Sequence, residues 1–280
     1  MIFDTHAHYD DEAFDQDRET LLAGLPGAGI ARVVNIGADL ASCRRTIALT
    51  ERYPYIYGAL GVHPSETGEL DEASFAWLKG QCGLEKCVAV GEVGLDYHWK
   101  EADVRTQKNW FRRFLDLAKE ARLPVVIHSR DAAQDTLEIL RAAGAKDLGG
   151  VMHCYSYSKE MAKSLLEMGF FFGIGGVVTF QNAKKLREVV AYLPMDTLVL
   201  ETDCPYLSPE PYRGKRNSSR NLPYVVRAVA EIKGIPEKEV ERITWGNACK
   251  LYGMGEGGKN CILSTGDLCC AQSLQTLEGA

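Results

Sequence analysis

Five apolar runs in this chain finish on side chains that bind metal ions well. They are Ile2-Phe3-Asp4-Thr5-His6-Ala7-His8, Cys87-Val88-Ala89-Val90-Gly91-Glu92, Pro124-Val125-Val126-Ile127-His128, Gly150-Val151-Met152-His153 and Leu198-Val199-Leu200-Glu201-Thr202-Asp203. Four of the chain's six histidines sit at such ends. A buried strand normally closes on a turn residue, because a polar group at the edge of a core needs a partner. Imidazoles and carboxylates repeated at that position point to one shared partner, a metal centre. His6 and His8 lie two apart, so the period of a strand turns both to one face and lets both reach one ion. His-x-His alone is a weak signal, and His128, His153, Glu92 and Asp203 strengthen it. This nitrogen and oxygen donor set suits Zn²⁺, Mn²⁺, Fe²⁺ or Mg²⁺ without choosing among them. Six protein ligands are too many for one open catalytic ion, so two divalent cations with a bridging carboxylate fit better.

Such a cluster needs elements that bring distant residues to one place. Near-continuous runs of Val, Ile, Phe and Ala predict eight strands, over 2–8, 31–37, 56–63, 87–96, 124–130, 149–154, 170–176 and 198–205. Runs apolar on both faces are those of parallel strands covered by helices. Helical patterns fall between and after them, over 13–25, 40–53, 71–81, 104–122, 132–143, 159–168, 183–193 and 222–233. Eight β-α units in series predict an α/β fold of the TIM-barrel type, in which strand C-termini converge on one rim. An extra helix is expected over 236–252, completing one domain over residues 1–252. Residues 253–280 read as a glycine-rich linker over 253–258 and then a disordered or loosely attached tail over 259–280, whose Cys261, Cys269 and Cys270 receive no role.

Composition limits the rest. A chain of 280 residues, 46% hydrophobic and 25% charged, can bury a large core without disulfides. Its net charge of −6 argues against a broad basic face for nucleic acid, although metals and a short basic loop can receive a phosphate. No leader and no membrane-spanning run is read, and nine cysteines mostly within apolar strands suit a reducing compartment. A cytoplasmic monomer is the expectation.

His6-Ala7-His8, Gly91-Glu92-Val93-Gly94-Leu95-Asp96-Tyr97, His128-Ser129-Arg130, His153-Cys154-Tyr155-Ser156 and Glu201-Thr202-Asp203-Cys204-Pro205-Tyr206-Leu207 occur in that order. In these motifs the chain, from residue 1 to about 252, resembles the TatD-type metal-dependent deoxyribonucleases of the amidohydrolase superfamily. The resemblance implies a first metal on His6, His8 and Asp203, a second on His128 and His153, and Glu92 bridging both. It implies that Asp203 also takes the proton of the attacking water. The activity implied is 3′-5′ exonuclease-like hydrolysis of DNA, at single-stranded ends.

Around these motifs, His63 in Gly61-Val62-His63-Pro64 is expected to meet the substrate phosphate. Arg213, Lys215 and Arg216 form the densest basic segment near the rim and, with Arg130, are candidates for the phosphodiester backbone. His98 has a substrate contact and a solvated loop position as equal alternatives. Tyr157 replaces a small residue of the family pattern and offers a ring for stacking a base or narrowing the site. Ser218-Ser219-Arg220-Asn221 departs from the family's acidic segment. Cys154 and Cys204 are expected to turn away from the metal face into the core. Two other functions compete: hydrolysis of a small ester, amide or phosphoester by the same centre, and a non-catalytic metal-binding scaffold. Basic and aromatic rim residues favour nucleic acid, whereas a tight apolar pocket favours a small substrate.

Overall fold

The computed structural model of the protein describes residues 1–99 and 101–255. Eight parallel strands form one sheet in sequential order: β1 (Ile2–Ala7), β2 (Ile30–Ile36), β3 (Ile56–Leu60), β4 (Cys87–Asp96), β5 (Val125–Arg130), β6 (Gly150–Met152), β7 (Phe171–Ile174) and β8 (Leu198–Leu200). The helices α1 (Arg18–Gly24), α2 (Leu40–Arg52), α3 (Glu72–Gln81), α4 (Val104–Ala121), α5 (Ala133–Ala142), α6 (Lys159–Glu167), α7 (Lys184–Tyr192) and α8 (Leu222–Lys233) alternate with them, and α9 (Glu237–Leu251) follows. This is the expected TIM-type barrel. Inward residues of every strand (Phe3, Val34, Ala59, Val88, Val126, Val151, Phe171 and Val199) pack in one cluster with Ala248, Cys249, Leu251, Tyr252 and Met254. The last helix therefore covers the barrel's base, where the Tyr252 hydroxyl donates to the Thr5 carbonyl at 2.8 Å.

Several boundaries depart from expectation. The helix anticipated from residue 13 begins at Arg18, because the Asp11 side chain accepts the Ala13 amide and caps a separate 3-10 turn, Glu12–Phe14. β8 stops at Leu200 rather than running to 205, since Asp203 adopts a left-handed φ of 55°. Glu92 does not end its strand but lies inside β4. There Val90 pairs with Val125 and Val93 with Ile127, so β4 carries one extra residue against β5. Such a bulge re-aims a side chain beside a site. Met254 is buried, and the Gly255 carbonyl accepts from Arg32 at 3.1 Å, so residues read as linker pack against the barrel base. The remainder of that segment, with Cys261, Cys269 and Cys270, lies outside the described residues.

β1 and β8 close the barrel without a regular ladder. One bridge joins Ala7 to Cys204, and the Asp203 amide donates to the His6 carbonyl at 2.9 Å. The Thr5 hydroxyl adds a bond to the Leu200 carbonyl at 3.0 Å.

The β4–β5 approach depends on Gly94, whose φ is 146° and whose absent Cβ would lie 1.9 Å from the His128 carbonyl oxygen. Both the dihedral and the clash oppose any side chain. Gly94→Ala is therefore expected to destabilise the fold by about 3 kcal/mol or more, read as a lowered urea midpoint. An unchanged midpoint would contradict this account of the strand pair.

Candidate metal centre

At the rim the side chains of five strand ends and loops converge. His6, on β1, is fully buried, and its Nε2 lies 3.1 Å from His8 Nε2. His8 Nδ1 sits 3.0 Å from the Ile36 carbonyl, which can only accept, so Nδ1 carries a proton and Nε2 faces the cluster. Asp203 Oδ1 is 3.3 Å from His8 Nε2 and 3.5 Å from His6 Nε2. Glu92 Oε2 is 3.6 Å from His6 Nε2 and 3.9 Å from His8 Nε2. Donor atoms tetrahedrally around an ion of zinc size stand about 3.4 Å apart. The spacing of these four groups matches that, so they are a fit donor set for a divalent cation.

The other carboxylate oxygen faces a second group. Glu92 Oε1 is 2.9 Å from His128 Nδ1 and 3.4 Å from His153 Nε2. Burial opposes ionisation of Glu92, yet His153, His128 and His6 outweigh it and hold the carboxyl well below its ordinary range. Burial likewise opposes ionisation of Asp203, and its bond to His8 keeps that carboxyl low. The histidines respond in the opposite sense. Burial disfavours their charge, but Asp203 raises His8 to about 9, and Glu201 with Glu92 raises His153 to about 10.

Outer partners orient these rings. Asp96 Oδ2 is 2.8 Å from His128 Nε2, leaving Nδ1 for Glu92. Glu201 Oε1 stands 3.3 Å from His153 Nδ1, though poorly aligned for a hydrogen bond, and accepts the Cys154 amide at 2.6 Å. Space for Glu201 exists because residue 173 is glycine, whose Cβ would come within 2.0 Å of its Oε2. Partners of this kind fix tautomer and basicity in metal sites. Sequence reasoning gave Asp96 and Glu201 no role, although both stand inside the motifs it singled out.

Asp4 was also overlooked. It is fully buried and accepts from the Thr202 amide at 3.1 Å, the Thr202 hydroxyl at 2.7 Å and the Ser219 hydroxyl at 2.6 Å. The unusual Ser218–Asn221 segment thus anchors the turn that presents Asp203. Asn217 joins it, donating to the Thr202 carbonyl at 3.0 Å.

The candidates for substrate contact divide. His63 lies beside Glu92 and His128, its ring 4.3 Å from that of His128. Burial, then His128, lower it to about 4, so it is neutral near pH 7. Its Nδ1 accepts the Ser65 amide at 3.2 Å, which leaves the proton on Nε2 as a donor. Arg130 lines the open cleft of about 1130 Å³ above the cluster. Arg213 and Lys215 do not line it: their cations sit over Phe180 and Tyr212, at 4.2 and 5.8 Å. Arg216 is held by Asp17 at 2.6 Å. His98 faces Asp131 at 3.6 Å. Tyr157 does not line the cleft: it packs partly buried against the core, and its hydroxyl is anchored by Ser129 at 2.9 Å and the Ala132 amide at 3.2 Å. Cys204 is in the core as expected, but Cys154 lines the cleft, since β6 has ended and its φ is 45°.

Comparison with known proteins identifies the family. The family model of TatD related DNase matches residues 3–253. The uncharacterized metal-dependent hydrolase YabD of Bacillus subtilis is 43% identical over 90% of this chain and 99% of its own length. The 3′-5′ ssDNA/RNA exonuclease TatD of Cronobacter sakazakii is 32% identical over 90% of this chain and 97% of its own. The solved structure of YjjV, a TatD homologue from Escherichia coli K12, superposes with a TM-score of 0.86 at 30% identity, covering 91% of this chain and 98% of that one.

Burial pushes the Asp4 carboxyl up to about 7, against the donors that favour its charge. An acid raised on folding binds its proton more tightly in the native state, so stability is full below about pH 4 and falls as pH rises through 7. Asp4→Asn should flatten that fall in urea midpoints taken across the window. A variant whose profile parallels the unaltered protein would contradict the assignment.

Proposed function

The chain belongs to the TatD-related DNase family of metal-dependent hydrolases, and on that premise we propose that it hydrolyses phosphodiester bonds at single-stranded DNA ends, as a 3′-5′ exonuclease. The observation that carries the reading is the Glu92 carboxylate, which turns one oxygen to His6 and His8 and the other to His128 and His153. In this reading His6, His8 and Asp203 would hold one divalent cation and His128 and His153 a second, with Glu92 shared between them. Magnesium, manganese and zinc all suit the donors.

The cations supply Lewis acidity, acidifying water and offsetting phosphate charge. Asp203, ionised and with its side chain 18% exposed to the cleft, accepts the proton of the attacking water. His63 donates its Nε2 proton to a phosphate oxygen, and Arg130 adds positive charge beside it. Glu201 and Asp96 keep His153 and His128 in register. Support for a nucleic-acid substrate comes from the relative named as an ssDNA/RNA exonuclease and from a cleft whose mouth carries exposed Trp99 and Tyr206. Monomeric action in the cytoplasm belongs to the same reading. Cys43, Cys82, Cys87, Cys154 and Cys204 are free thiols, and among the described residues no helix is long and apolar enough to cross a membrane.

Asp203→Asn should lower kcat on a labelled single-stranded oligonucleotide by a factor of roughly 10² to 10⁴, with an unchanged circular dichroism spectrum. Undiminished cleavage would sink the assignment. If the metal-loaded protein cleaves generic phosphodiesters but neither DNA nor RNA, the small-substrate reading replaces this one.

Metal binding provides a second check. A histidine must be neutral to ligate, whereas His8 and His153 stay protonated up to about 9 and about 10. Each must then release a proton near pH 7.5, so affinity rises with pH across that range. Calorimetric titration with Mn²⁺ in buffers of different ionisation enthalpy should register net proton release. Affinity independent of pH between 6 and 9 would contradict the ligand set.

A further inference from the structure

Trp99 stands where the cleft opens to solvent, and 50% of its surface is exposed. That leaves an indole face open at the edge of a polar cleft, the kind of surface on which a nucleobase stacks. It is not a loose side chain at its root. The Trp99 amide donates to Asp96 Oδ1 at 3.0 Å, while Asp96 Oδ2 contacts His128 at 2.8 Å. One buried carboxylate therefore ties the tryptophan to the catalytic cluster.

Charge singles out the same sector. Outside the metal cluster only two basic side chains of the lysine or arginine type line the cleft among the described residues, Arg45 and Arg130. Arg45 is paired with Asp10 at 3.3 Å. Arg130 makes no ion pair among the described residues, and its guanidinium carbon lies 5.8 Å from the Trp99 ring centroid. Outside the metal cluster the carboxylates of the cleft are Asp10, Asp11, Glu12, Asp15, Asp39 and Glu66. All of them follow β1, β2 or β3, whereas Trp99 follows β4 and Arg130 ends β5. A polyanion is repelled from the first sector and received in the second.

We propose that Trp99, with Arg130 beside it, is the stacking platform for a nucleobase next to the scissile phosphate, with Arg130 holding the adjoining phosphate. This inference rests on the phosphodiesterase reading above and adds to it the face on which the strand lies.

The test crosses the residue with the base. With Mn²⁺-loaded enzyme, Trp99→Ala should raise KM for a single-stranded pentanucleotide about tenfold or more, with kcat nearly unchanged, while Trp99→Phe keeps most of the affinity. On an oligonucleotide of the same length with abasic sites at its 3′ end, the unaltered protein should already show the raised KM, and Trp99→Ala should add nothing. Equal KM for Trp99→Ala and the unaltered protein on the base-bearing strand would overturn the platform, as would an equal loss on the abasic strand. Absence of cleavage of either strand by the unaltered protein would overturn the phosphodiesterase reading and the platform with it.

Discussion

The seam between the first and last strands is the constraint on which the rest depends. Seven strand pairs hold by parallel ladders, but β1 and β8 meet through one bridge and a few hydrogen bonds. Those bonds run through His6, Thr202, Asp203 and Cys204, with Asp4 beneath them. The atoms that close the barrel thus belong to the residues that present three of the six proposed ligands. A displaced seam would open the sheet edge and separate His6 and His8 from Asp203 together.

A second constraint is electrostatic. The buried Glu92 and the mostly covered Asp203, both with lowered pKa values, face His8 and His153, whose values are raised. Each partner is tolerable in the interior only because the other is there. A divalent cation can take the place of the protons on the imidazoles and leave the carboxylates compensated. The polar partners outside the cluster then matter for aim rather than charge: Asp96 and Glu201 fix ring orientation, and Gly173 yields the space that Glu201 needs.

Much of this was legible because strand periodicity and donor chemistry are local properties. The eight β-α units and the converging His6, His8, Glu92, His128, His153 and Asp203 could be read directly from residue types and spacing. What escaped depended on three-dimensional company. The bulge that turns Glu92 inward comes from a register shift between strands, which neither strand records alone. Arg213 and Lys215 are basic and follow the right strand, but Phe180 and Tyr212 engage them away from the cleft. Tyr157 had the right chemistry for stacking, but it packs against the core rather than lining the cleft. Trp99 drew no notice because an aromatic in a loop carries no pattern, and its place at the mouth is set by Asp96.

The seam also orders events in time. A chain leaves the ribosome from its N-terminus, so β1 and its two histidines emerge well before Asp203, which follows some two hundred residues later. Until then β1 has β2 on one side and an unpaired edge on the other. The helix that covers the barrel base comes later still. The hydrolytic centre therefore cannot assemble on a partial chain, and a prematurely terminated product carries His6 and His8 but no completed site. Distance along the chain acts here as a safeguard, keeping the chemistry silent until synthesis has passed the last strand.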